Sequence, residues 1–203
     1  APRQLAAHHH LRLGDEGDLR RVARRISGRA TGLVLGGGGA RGFVHIGMLR
    51  ALGESGVEID LVGGTSIGAL FSAACAAGIT VERMMALAES FASRKKLLDR
   101  TLPLTSLMAG AKVTAIYRQL FGELRIEDLW MPMFAVSSDL SRAQAVVHRH
   151  GEVWRAIRAS TAIPAIFPPI LGDGNEVLVD GNVLNNMPLD IMREPCEDGQ
   201  ELA

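Results

Sequence analysis

The sequence predicts an α/β fold with a central, mostly parallel sheet flanked by helices. Three observations point there. First, a short apolar strand, Thr31 to Leu35, runs into Gly36-Gly37-Gly38-Gly39-Ala40-Arg41-Gly42 and then a helix, which Gly56 separates from a second strand, Val57 to Val62. Strand, loop, helix, strand is a βαβ unit, so the sheet is expected to be at least partly parallel. Second, the second strand leads to Gly64-Thr65-Ser66-Ile67-Gly68 and a small-residue segment, Ala69 to Ala77, which reads as strand, sharp turn, helix. Third, 203 residues with 47% hydrophobic content can bury a sizeable core in one domain.

Taken in order, residues 1–30 form a basic lead-in or linker. Arg12, Arg20, Arg21, Arg24, Arg25 and Arg29 crowd it, and Asp15 or Asp18 can cap a short helix that ends near Gly28. His8-His9-His10 reads as an incidental run on an arm rather than a metal tract. The helix after the glycine loop has Val44, Met48, Leu49 and Leu52 on its expected apolar side. Val81 to Phe91 is helical and is followed by the basic patch Arg94-Lys95-Lys96; a further helix, Lys112 to Leu120, stops at Gly122. Met84, Met85 and Met108 read as core packing before a lipid groove. Pro132 to Ser138 and Gln144 to His148 are strands joined through Asp139 to Arg142, and Val153 to Ser160 is a helix. The run Ile163-Pro164-Ala165-Ile166-Phe167 is either an apolar wall for a substrate tail or a buried connector. Glu176 to Val179 is a short strand presenting Asp180-Gly181-Asn182 in a turn.

Composition excludes several classes. Lys plus Arg equals Asp plus Glu at 22 each, so no global field favours nucleic acid. Two cysteines, Cys75 and Cys196, form neither a disulfide framework nor a zinc motif, and Cys75 reads as a small buried hydrophobe. Leu61 to Thr80 carries no charge, but glycines and polar residues fill its first half, which argues against a membrane span. With no initiator methionine and no signal sequence at the start, the chain is expected to be a piece of something longer.

Acyl transfer from a serine needs an exposed hydroxyl, a base and donors for the oxyanion. G-x-S-x-G between strand and helix is the pattern of a nucleophile elbow, with Gly64 and Gly68 allowing the bend and Ser66 at its apex. Gly37, Gly38 and Gly39 offer backbone amides unobstructed by a Cβ ahead of a helix, a cradle for negative charge. Arg41 can anchor the loop or neutralise charge such as a phosphate head group. The same loop, Gly37-x-Gly39-x-x-Gly42 with Glu58 or Asp60 further on, also fits a dinucleotide fingerprint, so a nucleotide-binding module is the rival. For the base, no histidine follows Asp180. Either His148 or His150 serves in a triad of reversed order, or Asp180 contacts the serine directly with its pKa raised by desolvation.

The set Gly37-Gly38-Gly39-Ala40-Arg41-Gly42, Gly64-Thr65-Ser66-Ile67-Gly68 and Asp180-Gly181 resembles the patatin-like phospholipases. The stretch from about Thr31 through Met192, with "GLVLGGGGARGFVHIGMLRAL", "DLVGGTSIGAL" and "LVDGNVLNNMP", looks like the catalytic domain of the neuropathy target esterase branch. The resemblance implies a three-layer α/β patatin-like fold over residues 31–203. It implies a Ser66–Asp180 dyad and an oxyanion hole from Gly37, Gly38 and Gly39, with Arg41, Gly42, Gly64, Gly68 and Gly181 as motif support. It further implies hydrolysis of phospholipid or lysophospholipid esters without metal or other cofactor. A membrane-associated or cytoplasmic setting, facing the cytoplasm, and upstream cyclic-nucleotide-binding-like modules follow from the same branch. A truncated, non-catalytic lipid-binding domain is a further alternative, because the chain ends soon after Asp180, where family members continue with another strand and helix. Asn182 also stands where the family has Gly or Ala; Asn tolerates positive φ well enough to keep the turn.

Overall fold

The computed structural model describes residues 10–93 and 110–197. The lead-in forms α1 (Glu16–Ile26), capped by Asp15, whose side chain accepts from the Asp18 amide at 3.1 Å. This helix is held to the rest of the chain by charge. Arg24 forks onto the buried Asp60 at 2.7 and 3.0 Å and also meets Glu58, and Arg20 reaches Glu58 at 3.3 Å.

The βαβ unit follows as β1 (Gly32–Leu35), α2 (Val44–Glu54) and β2 (Leu61–Thr65), with β1 and β2 parallel. The second strand therefore lies later than the sequence suggests: Val57 to Asp60 are outside it and Gly63, Gly64 and Thr65 are inside. Phe134 on the neighbouring strand explains the difference, because its ring lies where a Cβ on Gly63 would stand. Glycine here is a packing requirement rather than a strand breaker. On α2 the buried residues are Ile46 and Leu49, while Val44 is 71% exposed and Met48 is also exposed, which corrects the expected apolar face. His45 bonds the Gly36 carbonyl at 2.9 Å, and this tie helps set the rotation of the helix.

After β2 come α3 (Ile67–Ala76), α4 (Val81–Ser93), α5 (Ala111–Phe121), β3 (Met133–Asp139), β4 (Gln144–His148) and α6 (Val153–Ser160), near the bounds that periodicity suggests. The chain ends through β5 (Ile170–Leu171), β6 (Val177–Asp180) and α7 (Leu189–Glu197). β5 and α7 were not expected: β5 is two residues long, and α7 begins among prolines and asparagines. Leu61 to Thr80 is strand, turn and helix, and among the described residues no helix is long and apolar enough to cross a membrane.

The six-stranded sheet has the order β1-β2-β3-β6-β5, with β4 on the other side of β3. β1, β2 and β3 are parallel, β4 and β6 run against β3, and β5 against β6, so most strands point one way. Side chains alternate between two helical layers. Val62 and Ala135 pack with Ala69, Ala73, Phe121 and Ile157 beneath α3, α5 and α6, whereas Leu61, Phe134 and Val136 pack on Ile191 and Met192 of α7. Helix layer, sheet and helix layer give the three-layer α/β architecture that the sequence implies.

β3 is the template on which the site is built. Its first half pairs with β2 and ends at Thr65 opposite Val136; its second half pairs with β6 and begins at Asp180 opposite Ser137. Both strands occupy the edge of β3 away from β4, so their carboxyl ends meet head to head at adjacent positions of one partner.

Candidate active site

Ser66 follows directly on β2, with φ 56° and ψ −127°, a backbone conformation that a residue with a side chain adopts at a cost of about 1–3 kcal/mol. It is the sharp turn of an elbow, with α3 starting at the next residue. Gly64 and Gly68 make the bend possible by close approach: a Cβ on either would run into the Leu35 carbonyl. Three bonds hold the strained turn. The Ser66 amide donates to Ser160 Oγ at 2.8 Å, that hydroxyl donates onward to the Val136 carbonyl at 2.5 Å, and Thr65 Oγ1 donates to the Asn185 carbonyl at 2.8 Å.

Ser66 Oγ donates to Asp180 Oδ2 at 2.6 Å. Both residues are buried, at 5% and 3% exposure. The other carboxylate oxygen, Oδ1, accepts from the Asn182 amide at 2.9 Å, so the turn forms with asparagine at that position. Burial pushes the Asp180 carboxyl above its ordinary 3.8, against the opposing pull of the hydrogen bonds from Ser66 and Asn182. Gly181 packs against the Val136 carbonyl, with no room for a Cβ.

Neither histidine of the reversed triad reaches this pair. His148 Nε2 is bonded to Ser137 Oγ at 2.7 Å, and burial lowers its pKa to about 4, so it stays neutral. His148 and His150 instead line a charged cleft of about 620 Å³ between β4 and α6 that includes neither Ser66 nor Asp180. His10 lies at Trp130 and Glu127, while His8 and His9 fall outside the described residues.

The glycine loop abuts the elbow, because the Ile67 side chain fills the space beside Gly42. The three loop amides differ. Gly37 N–H already donates to Asn186 Oδ1 at 2.8 Å, while the amides of Gly38 and Gly39 bond to no described residue. Gly39 has φ +54°, and the Arg41 amide closes a turn onto the Gly38 carbonyl at 3.2 Å. The Arg41 side chain is exposed and forms no ion pair with a described residue. The nucleotide alternative needs an acidic residue for a ribose, but Asp60 is sealed beneath Arg24 and bonded to the Thr31 amide, and Glu58 is shared by Arg20 and Arg24.

A narrow apolar cavity of about 120 Å³ lies beside the elbow, lined by Phe43, Ile67, Phe71, Met84, Leu87 and Tyr117 among others. Met84 is core and lines this space, Met85 is exposed, and Met108 lies outside the described residues, as does the patch Arg94-Lys95-Lys96. The Ile163–Phe167 run is not part of the cavity lining. It is a connector clamped by the buried Arg158, which donates to the Pro168 carbonyl at 3.3 Å and sits over the Phe167 ring.

A match to the patatin-like phospholipase family model spans residues 33–193, which include the glycine loop, the elbow and Asp180. The chain belongs to this family. Its curated relatives include neuropathy target esterase sws of Drosophila melanogaster, 39% identical over 182 residues that make up 86% of this chain and 13% of the relative. Human patatin-like phospholipase domain-containing protein 6 is 43% identical over 183 residues, 87% of this chain and 13% of that protein. An uncharacterized NTE family protein of Mycobacterium tuberculosis is 44% identical over 178 residues, 87% of this chain and 30% of the relative. The chain therefore spans less than a third of the length of these relatives. VipD of Legionella pneumophila superimposes with a TM-score of 0.62 at 17% identity, over 78% of this chain and 47% of that one, a likeness of fold. The family and two of these relatives carry phospholipase or esterase in their names.

The sequence did not single out Ser160, Asn186, His45 or Thr65, each of which holds either the elbow or the glycine loop in place. For Asn186 a signal was present in the quoted string "LVDGNVLNNMP", where paired asparagines follow a turn. For Ser160, a helix-terminal serine, none was.

Proposed function

We propose that the chain is a serine acyl hydrolase of phospholipid or lysophospholipid esters, with Ser66 as nucleophile and Asp180 as base. The observation that carries this reading is the 2.6 Å hydrogen bond from Ser66 Oγ, at the apex of the elbow, to a buried carboxylate. Asp180 takes the hydroxyl proton as Ser66 Oγ attacks the ester carbonyl, giving a tetrahedral oxyanion. The Gly38 and Gly39 amides are the donors offered to that oxygen; Gly37 instead holds the loop through Asn186. Collapse expels the alcohol, which leaves with the proton from Asp180 and forms the acyl-serine. Water then gives its proton to Asp180 and attacks the acyl carbon, and the fatty acid departs as the proton returns to Ser66. The apolar cavity beside Ile67 suits an acyl chain.

Residues 31–203 would then be the catalytic domain, with residues 1–30 a lead-in to modules upstream, and its substrate would come from a membrane surface. Fluorophosphonate labelling with peptide mapping tests the assignment: the label is expected on Ser66. Ser66→Ala and Asp180→Asn are each expected to abolish p-nitrophenol release from a medium-chain ester. Wild-type turnover in the Ser66 variant would overturn the assignment.

A further inference from the structure

We infer that the loop after Asp180, with the neighbouring Arg41, is the surface by which the protein docks on a phosphate-bearing lipid bilayer. The inference rests on the proposed acyl hydrolase and names the partner of the same site.

Exposed apolar residues are ordinarily scattered. Here Val183, Leu184, Met187 and Leu189, four large apolar side chains within seven positions, are all exposed. They surround the site's own mouth: Asn186 holds the Gly37 amide, and the Met187 thioether packs over Gly36. Val183 and Leu184 lie within four residues of Asp180. The position is therefore set by the two halves of the site, not by an unrelated face.

Charge selects the occupant. No Asp or Glu occurs from Gly36 to Gly53 or from Gly181 to Leu189. Of the acids that border these stretches, Asp180 is buried against Ser66, Glu54 is engaged by Arg50 at 2.9 Å, and Asp190 by Asn185 Nδ2 at 3.0 Å. Among the described residues at least eight other arginines are ion-paired, whereas Arg41, exposed on the glycine loop, pairs with no described carboxylate. Apolar side chains with an unneutralised cation and no anion beside them match a lipid interface, where the side chains enter the acyl boundary and the guanidinium meets phosphate oxygens. A bilayer is also where the proposed substrate resides, so the mouth must face it.

The test compares a soluble ester with vesicles. The triple variant Val183→Ser, Leu184→Gln, Leu189→Gln is expected to hydrolyse p-nitrophenyl butyrate like the wild type. Its flotation with vesicles of phosphatidylcholine containing about a fifth phosphatidylserine should weaken at least about tenfold, with a parallel loss of hydrolysis of vesicle lipid. Independently, Leu184→Trp should show a blue shift of emission on adding the same vesicles and quenching by brominated acyl chains. Undiminished flotation of the triple variant, or a Leu184→Trp emission spectrum indifferent to vesicles, overturns the inference. So does a triple variant that changes only the oligomeric state, which would assign the surface to a second copy of the chain. If the triple variant also loses the soluble activity, the Leu184→Trp spectrum decides. If the wild type neither turns over the ester nor labels with fluorophosphonate, the hydrolase reading has failed, and flotation still reports on the surface.

Discussion

Ser160→Ala probes how the elbow is held. The wild-type hydroxyl is fully buried, accepts from the Ser66 amide at 2.8 Å and donates to the Val136 carbonyl at 2.5 Å. Removing it orphans a buried backbone N–H, a loss of about 1–3 kcal/mol. In a domain of this size that corresponds to a melting temperature lower by roughly 4–8 °C for about 2 kcal/mol. The same bond restrains Ser66 at φ 56°, so its loss lets the turn relax toward ordinary φ and moves Oγ off Asp180. A displacement of an ångström at a reacting atom costs on the order of a hundredfold in rate, so kcat should fall by about 10–100-fold with KM little changed. The control is Ser137→Ala, which removes another fully buried serine hydroxyl, on the same strand as Val136 and bonded to His148 rather than to Ser66 or Asp180. It should lower the melting temperature without a matching loss of kcat. Thermal melts and ester kinetics on both variants decide the matter. An unchanged kcat in Ser160→Ala, or an equal fall in Ser137→Ala, would refute the positioning role.

Three further outcomes follow from burial and packing. Asp180 has its folded pKa above the ordinary 3.8, so the folded state holds the proton more tightly, and ionising the group costs stability as pH rises through and beyond that value. Asp180→Asn should therefore melt no lower than wild type at pH 7 while losing ester hydrolysis, and the acid limb of kcat/KM in the wild type should lie above pH 3.8; a clearly lower melting temperature contradicts this. His148 is shifted the other way, from 6.5 to about 4, so the unfolded chain binds its proton first and stability should fall as pH drops from 6.5 toward 4. Urea titrations across that window should show a shallower fall in His148→Gln. Finally, an alanine Cβ at position 68 would meet the Leu35 carbonyl, whereas at position 47 it would meet nothing within 4 Å. Gly68→Ala should cost on the order of 3 kcal/mol, and Gly47→Ala, inside α2, should stabilise by about 0.5–1 kcal/mol, both read from denaturant midpoints.

Much of this was legible in the chain because the signals are local. Apolar runs marked β1 and β3, glycines marked where α2 and α5 stop, and the strand–glycine–helix–strand order implied a sheet that is at least partly parallel. Where local pattern misled, a distant residue was responsible. Gly63 is a strand residue because of the Phe134 ring, Val44 and Met48 face outward on a helix tied through His45 to Gly36, and β5 is too short to carry an alternation. The absence of a histidine after Asp180 left two bases open, and the motif resemblance favoured one of them.

By itself the sequence determined the elbow and the glycine loop, since both are contiguous runs in which small residues set the backbone path. It also placed a carboxylate at the end of a strand. Only the tertiary structure decided that this carboxylate lies against Ser66, because the meeting depends on two strands 114 residues apart in their terminal side chains sharing one edge of β3. It decided as well that Asn186 occupies the Gly37 amide and that Ser160 holds the turn. Hydrogen bonds between residues so far apart in the chain have no periodic trace in sequence, because the chain geometry that creates them exists only once the sheet has formed.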